Sequence, residues 1–327
     1  SSNEEIKVGI KFTNVGAGGH KAGADNIKIT YTDPALAAAQ AVLGGYIKKA
    51  TALNGVLKNS TLGTAITTAE SVLASATTSS ACNDASDNLS SAITTALSGA
   101  TPVSLTNANF DTNVNIAADG TSSATYIEPA TAAKPYIYAV TGWTQDFTFS
   151  KTAAQGTTAA YGATITSDKG NNGTNPPATD IFTNTTGGVL HLSSGWSDRA
   201  RYKQVIENLP TGRYVFYYEA NNQNSAANTI NSNYFGVSGT AGDFYGTTNS
   251  FVYGDNKTYG YNEWTACAFE FDVAKTANIT FNVGITGTTG GSGSGAKLWI
   301  DNVLVYRIAD IIVNDDVANT IIASAEA

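Results

Sequence analysis

Glu270 and Asp272 alternate with Phe269 and Phe271, so a strand over these residues carries two carboxylates on one face. Glycosidic hydrolysis needs such a pair, one group acting as acid and the other as base or nucleophile. Here the alternation stops at Val273-Ala274-Lys275 without a further acid, and the pair reads as a solvated outer face. His20 and His191 have no nucleophile motif beside them; G-x-S-x-G is absent, and Gly291-Ser-Gly-Ser-Gly295 reads as a flexible loop. No phosphate-cradling loop or dinucleotide fingerprint occurs. Cys82 and Cys267 form no CxxC, lack paired histidines and read as two buried free thiols. The chain is therefore expected not to be an enzyme.

Binding chemistry is better represented. Sugar rings stack their C–H faces on aromatic rings, while amides and carboxylates take the hydroxyls. The stretch from Asn221 to Asn262 sets Tyr234-Phe235, Phe244-Tyr245, Phe251, Tyr253, Tyr259 and Tyr261 among Asn, Gln and Gly. Ser193-Ser-Gly-Trp-Ser-Asp-Arg199 adds Trp196 and Arg199 ahead of a strand. The candidate ligand-binding set is Trp196, Arg199, Tyr245, Tyr253, Tyr259 and Tyr261, while Trp143, Trp264 and Trp299 are expected in the core.

The elements that must position these residues are mostly strands. Tyr202–Asn221 reads as strand, turn, strand, with Leu209-Pro210-Thr211-Gly212 as the turn and β-branched and aromatic residues after it. Cys267–Val273 and Asn278–Ile285 form a second such run, and Lys297–Tyr306 a last strand. Short strands with Gly-rich connections read as a β-sandwich. Before it, Asp33-Pro34 signals a helix start. Apolar residues then keep a helical spacing through Leu57, from Leu62 to Leu73, and from Cys82 to Leu97, predicting three antiparallel helices. Gly44-Gly45 marks a kink or break in the first.

The first 31 residues hold an internal repeat. Val8-Gly-Ile10, a Gly-rich loop and Asp25-Asn-Ile-Lys-Ile29 match Val283-Gly-Ile285, a Gly/Ser loop and Asp301-Asn-Val-Leu-Val305. The early copy reads as a strand pair belonging to a preceding sandwich repeat, or as strands that complete a neighbouring molecule's sheet.

Asn107-Ala-Asn-Phe-Asp111, Gly142-Trp143-Thr144, Leu209-Pro-Thr-Gly-Arg-Tyr214, Trp264 and Ile300-Asp-Asn-Val303 occur in that order. Together they resemble the jelly-roll, carbohydrate-binding-module-like domains of surface and secreted Bacteroidota proteins. The likeness covers roughly residues 102–307. It implies a structural calcium site to which Asp111 and Asp301 contribute. The helical pattern L-x-x-A-I-x-x-A-x-x-V-L is similar to FIVAR-type spacer modules of bacterial surface proteins.

Composition agrees with an exported protein: Lys, Arg, Asp and Glu make only 13% of 327 residues, and hydrophobic residues make 42%. A net charge of −8 argues against nucleic acid as partner, and no apolar run is long enough to span a membrane. The absence of Met suggests a mature or excised piece. The expected fold is mainly β: a jelly-roll β-sandwich over 101–307, a three-helix spacer over 33–100, a strand pair over 1–32 and an exit segment over 308–327. Glycan recognition or adhesion at a bacterial surface is the expected function. The alternative is an extracellular filament or stalk built from neighbouring copies.

Overall fold

The computed structural model describes residues 33–111, 126–128, 137–138, 140–148, 162–166, 179–184, 187–194, 199–222, 228–230, 235–247, 249–253, 257–260, 262–286 and 296–310. The N-terminal repeat, the exit segment, Trp196 and Tyr261 lie outside them.

Three helices come first: α1 (Leu36–Leu57), α2 (Ser60–Ser75) and α3 (Ser79–Ala96). Leu43, Ala50 and Leu53 of α1, Leu62, Ile66 and Ala69 of α2, and Cys82, Leu89 and Ile93 of α3 supply one buried stripe. Asn59 caps α2 by accepting from the Leu62 amide at 2.9 Å. Asp33 does more than the expected cap. One carboxylate oxygen accepts from Ala35 N at 2.9 Å and the other from Ser79 N at 2.6 Å, tying the starts of α1 and α3 together.

The strands are β1 (Thr101–Val103), β2 (Tyr126–Glu128), β3 (Ile137–Tyr138), β4 (Thr144–Thr148), β5 (Gly162–Thr166), β6 (Val189–Ser194), β7 (Arg199–Leu209) and β8 (Gly212–Asn222). They continue as β9 (Asn228–Ile230), β10 (Gly236–Ser238), β11 (Phe251–Tyr253), β12 (Lys257–Tyr259), β13 (Trp264–Val273), β14 (Ala277–Thr286) and β15 (Ala296–Ala309). One sheet runs β13-β8-β15-β6-β5-β3-β2, with β1 also on β15; the other runs β11-β10-β14-β7-β4. The result is a mainly β sandwich of jelly-roll type with a small helical part.

The two strand–turn–strand runs are not hairpins. β7 lies in the five-stranded sheet and β8 in the large one, and β14 and β13 divide in the same way. Each turn therefore crosses from sheet to sheet. The first is braced by Tyr214, whose hydroxyl donates to Pro210 O at 2.6 Å, and by Arg307, whose guanidinium donates to Thr211 O at 2.6 and 3.0 Å. Between the sheets lie Tyr202, Phe216, Tyr218, Phe235, Phe269 and Phe281. Each such ring contributes about 1.5–3 kcal/mol through burial. Cys82 and Cys267 are not joined in a disulfide and lie in separate clusters, one under the helices and one in the sandwich.

The helices do not stand apart from the sandwich as a spacer module would. Val215 and Tyr217, on the outer face of β8, join the buried helical stripe in one cluster, with Ala266, Ala268, Leu304 and Tyr306 packed against it. The reason lies in β8 itself, which carries apolar side chains on both faces and needs cover on both. Gly45 permits the fit. Helix α1 runs through it without a break, and a Cβ there would come within 2.2 Å of the Ile181 carbonyl oxygen. Gly45→Val is expected to cost about 1–3 kcal/mol by overpacking. At Gly44 a Cβ would meet nothing within 4 Å, so Gly44→Ala should gain about 0.5–1 kcal/mol. Urea denaturation of both variants checks the pair.

Candidate functional site

With the helices over the large sheet, the outer face of the five-stranded sheet is the broad face that no described helix covers, exposed at Val205 and buried at Gly236, Asn282 and Gly284 in its centre. Its composition follows from the period of β14. Ile279, Phe281 and Val283 point into the core, so Thr280, Asn282 and Gly284 point out. The register extends this face across the sheet. Gly236 of β10 stands opposite Asn282, and Tyr253 of β11 opposite Gly236. Lys203 of β7 is opposite Asn282 on the other side, and Thr144 of β4 is opposite Lys203. The neighbouring row reads Phe251, Ser238, Thr280 and Val205.

This arrangement makes a shallow floor between two different walls. Gly236, Ser238 and Gly284 keep the centre low. Phe251 is half-buried at one side, with the Arg201 guanidinium 6.0 Å from its ring centroid. Val205, at the opposite end of its row, is 51% exposed, one of the two large apolar side chains most open to solvent. Asn282 sits at the centre and is 1% exposed. Its amide donates to Ser238 Oγ at 3.1 Å and Thr280 O at 3.0 Å, while its Oδ1 has no partner among the described residues. A buried carbonyl oxygen without a donor costs about 1–3 kcal/mol. A ligand hydroxyl could supply that donor only by displacing the groups that bury Asn282. Apolar walls, cationic side chains and an unpartnered amide oxygen suit a polyhydroxylated ring better than a purely apolar one.

The sequence-derived candidates fare differently. Tyr259 is a correction: it is 0% exposed and belongs to the sandwich core, its hydroxyl 3.1 Å from that of Tyr218. Pairing of β12 with β9 holds its strand over the end of the core, and the ring is used for packing. Tyr245 is 54% exposed, on a loop whose Tyr245 N donates to Asp272 O at 2.9 Å. Tyr253 and Arg199 are placed on β11 and β7, the strands of the open face. Trp143, Trp264 and Trp299 are all buried, Trp264 and Trp299 as their strand settings predict and Trp143 as the family resemblance implies. Lys203, Val205 and Asn282 were missed. The available signal was the small-polar alternation of Phe281-Asn-Val-Gly284 on a strand flanked by core residues.

Asp111 and Asp301, the expected calcium ligands, each brace main chain. Gly188 N donates to Asp111 Oδ1 at 2.6 Å, and Asn302 N to Asp301 Oδ1 at 2.7 Å. The segment before Asp111 is tied to the last strand by Val303 N donating to Ala108 O at 2.9 Å. Among the described residues no three His, Cys, Asp or Glu side chains gather in a metal-holding group, whereas calcium takes six to eight oxygens. Two carboxylates alone fall short of such a shell.

Glu270 and Asp272 share the outer face of β13, but Asp272 is taken by Arg213 in a two-pronged pair at 2.9 and 3.0 Å. The most deeply buried acid among the described residues is Glu219, on the outer face of β8. It accepts from the Tyr217 hydroxyl at 2.6 Å and the Asn302 amide at 2.8 Å. Burial raises its pKa, and burial lowers that of Lys49, which lies over the Tyr217 and Phe182 rings at 5.5 and 5.6 Å. These groups lie beneath the helical layer, where they serve packing.

The fold defines a β-sandwich with one sheet covered by helices and the other without a helical cover among the described residues. No family model and no curated protein matches the chain. Solved structures similar to it include TmCBM61 in complex with β-1,4-galactotriose, at 15% identity and TM-score 0.30, over 51% of this chain and 89% of that one. Another is the CBM22-1 xylan-binding domain of Paenibacillus barcinonensis Xyn10C, at 8% identity and TM-score 0.32, over 59% and 99%. The adhesin domain of Lys-gingipain from Porphyromonas gingivalis W83 matches at 14% identity and TM-score 0.30, over 50% and 90%. No described helix is long and apolar enough to cross a membrane.

Proposed function

We propose that this protein is a non-catalytic, extracellular glycan-recognition or adhesion module, and that glycan lies across the outer face of the five-stranded sheet. The observation that carries this reading is the trough itself. Phe251 and Val205 close a row over Ser238 and Thr280, and the buried Asn282 Oδ1 faces no protein donor. A sugar would stack on the Phe251 ring and accept from Lys203, and would donate a hydroxyl to Asn282 after displacing the groups that bury it. Affinity electrophoresis through gels carrying neutral or acidic polysaccharides tests it. Retardation by at least one polysaccharide is expected, with Ser238→Trp, which fills the trough, abolishing it. Migration unchanged in every gel would defeat the proposal.

A structural calcium ion at Asp111 and Asp301 belongs to the same proposal. What favours it is that Asp111 and Asp301 lie three and two residues from Ala108 and Val303, whose main-chain bond joins the first segment to the last strand. Calcium held 100-fold above its Kd would add about 2.7 kcal/mol of stability. A chelator should then lower the melting temperature by several degrees, restored by calcium. An unchanged melting temperature would leave both residues as main-chain braces.

A further inference from the structure

We propose that this chain joins Lys49 of α1 to Asn302 of β15 by an intramolecular isopeptide bond, with Glu219 of β8 as the acid–base group that promotes its formation. The packing that seats the helices on the large sheet also gathers an amine, a carboxamide and a carboxylic acid, each on a different element. Glu219 is 0% exposed. One of its carboxyl oxygens accepts from the Tyr217 hydroxyl at 2.6 Å, and the other from the Asn302 side-chain amide at 2.8 Å. Lys49 faces the group from the helix above. Its Nζ lies 5.5 Å from the centre of the Tyr217 ring and 5.6 Å from that of Phe182, within electrostatic reach of Glu219.

The backbone is shaped to bring these side chains together. Asp301 stands opposite Glu219 and Leu304 opposite Tyr217, so β15 bulges between them and Asn302 falls within the bulge. Its φ of 48° is left-handed, a conformation that Asn adopts more readily than most residues. A bulge re-aims a side chain, and this one turns the Asn302 amide onto the carboxyl of the neighbouring strand. On α1, Gly45 stands one turn before Lys49, and its close approach to the Ile181 carbonyl seats this part of the helix against the sandwich. The Tyr46 ring, 4.9 Å from that of Phe182, packs on the same side. A cavity of about 390 Å³ lined by Tyr46, Lys49, Leu304 and Tyr306 leaves room beside the amine for a small leaving group.

In water a lysine does not attack a primary amide, because the amine is protonated and the amide nitrogen leaves poorly without a proton. This site addresses both obstacles. Burial draws the Lys49 amine below its ordinary pKa and the Glu219 carboxyl above its own, so both move toward their neutral forms. The pair is then a nucleophile and a proton donor. With Glu219 protonated and the Asn302 amide turned over, the contact between them runs from the carboxyl O–H to the amide oxygen. The lone pair of Lys49 Nζ forms a bond to Asn302 Cγ, a closing movement that the flexible four-carbon stem allows. Glu219 takes a proton from the attacking nitrogen and delivers one to Nδ2. The Cγ–Nδ2 bond breaks with its electron pair on nitrogen, and ammonia leaves. Amine and primary amide become secondary amide and ammonia, with no change of oxidation state, and Glu219 ends as it began. A pull entering the chain before Lys49 and leaving after Asn302 would run through this bond and spare the residues between.

Mass spectrometry of the full chain tests the assignment. The intact chain should be lighter than its sequence by one ammonia, and a tryptic digest should contain a branched species joining the peptides of Lys49 and Asn302. Lys49→Arg and Asn302→Ala should each restore the full sequence mass. Glu219→Gln, which keeps the shape of the side chain and removes its acid, should do the same. The unaltered chain decides the matter even where a variant folds poorly, because the branched peptide reports the bond directly. The full sequence mass in the unaltered chain would overturn the proposal. So would a loss of ammonia without the branched peptide, which marks a cyclised asparagine instead. A branched peptide that still forms in Glu219→Gln would overturn the part assigned to Glu219. None of these results touches the trough on the opposite sheet.

Discussion

Tyr217→Ala is expected to lower the stability of the folded chain by about 3–5 kcal/mol, the range for deleting a large buried aromatic side chain. Tyr217 is 0% exposed on the outer face of β8, at the point where the sheet meets the helical stripe. Its hydroxyl is also a donor to Glu219, itself 0% exposed. The substitution therefore opens a cavity beneath α1 and strips a buried carboxylate of one hydrogen bond. Tyr217→Phe isolates the second effect and should cost about 1–3 kcal/mol. Urea denaturation followed by tryptophan fluorescence reads both. A loss below about 1 kcal/mol for the alanine variant would show that the helices do not share a core with the sheet. Glu219 also gives this layer a pH signature. Burial holds its folded pKa above the ordinary 4.5. The stability it contributes is therefore fully present below that value and is lost as pH rises through the folded pKa. Glu219→Gln should flatten the decline in melting temperature on that side. Asp33 and Asp243, lowered from 3.8 mainly by hydrogen bonds they accept, contribute stability present above 3.8 and lost as pH falls. That acid limb should be unchanged in the variant.

Phe251→Ala is expected to weaken glycan binding about 10–100-fold. Covering a Phe side chain contributes roughly 1.5–3 kcal/mol, and each 1.4 kcal/mol is about tenfold in Kd. Because Phe251 is on the outer face and only half-buried, its removal should cost the fold little. Asn282→Leu separates shape from hydrogen bonding. It keeps the volume at the centre of the trough, removes the carbonyl oxygen that has no protein partner, and should reduce affinity about tenfold. Isothermal titration with the polysaccharide fragment that retards the chain most measures both variants. Full affinity in both would move the binding surface away from this sheet, with the exposed Tyr245 loop as the next place to substitute.

The N-terminal repeat and the helices show how local signals and tertiary contacts divide the information. Helical spacing from Leu36 to Leu97 and the dense β-branched and aromatic runs after Tyr202 determine element type, because both periods are local properties of the backbone. The burial of Trp264 and Trp299 was legible for the same reason. Which sheet each strand joins was not legible. A turn such as Leu209-Pro210-Thr211-Gly212 suits a hairpin and a crossover equally, and only the pairing of β7 with β14 and β8 with β15 decides between them. The helices were legible as a bundle, but their docking on the sheet depends on Val215, Tyr217 and the close approach of Gly45 to Ile181, residues far apart in sequence. The candidate site followed that decision. Covering one sheet leaves the other as the proposed binding face, where strand register sets Val205 in one row with Phe251 and Asn282 opposite Lys203. Sequence alone determined a mainly β chain rich in aromatic and small polar residues. Tertiary structure alone decided which of those residues share an open surface, because strand register brings together side chains that no local pattern connects.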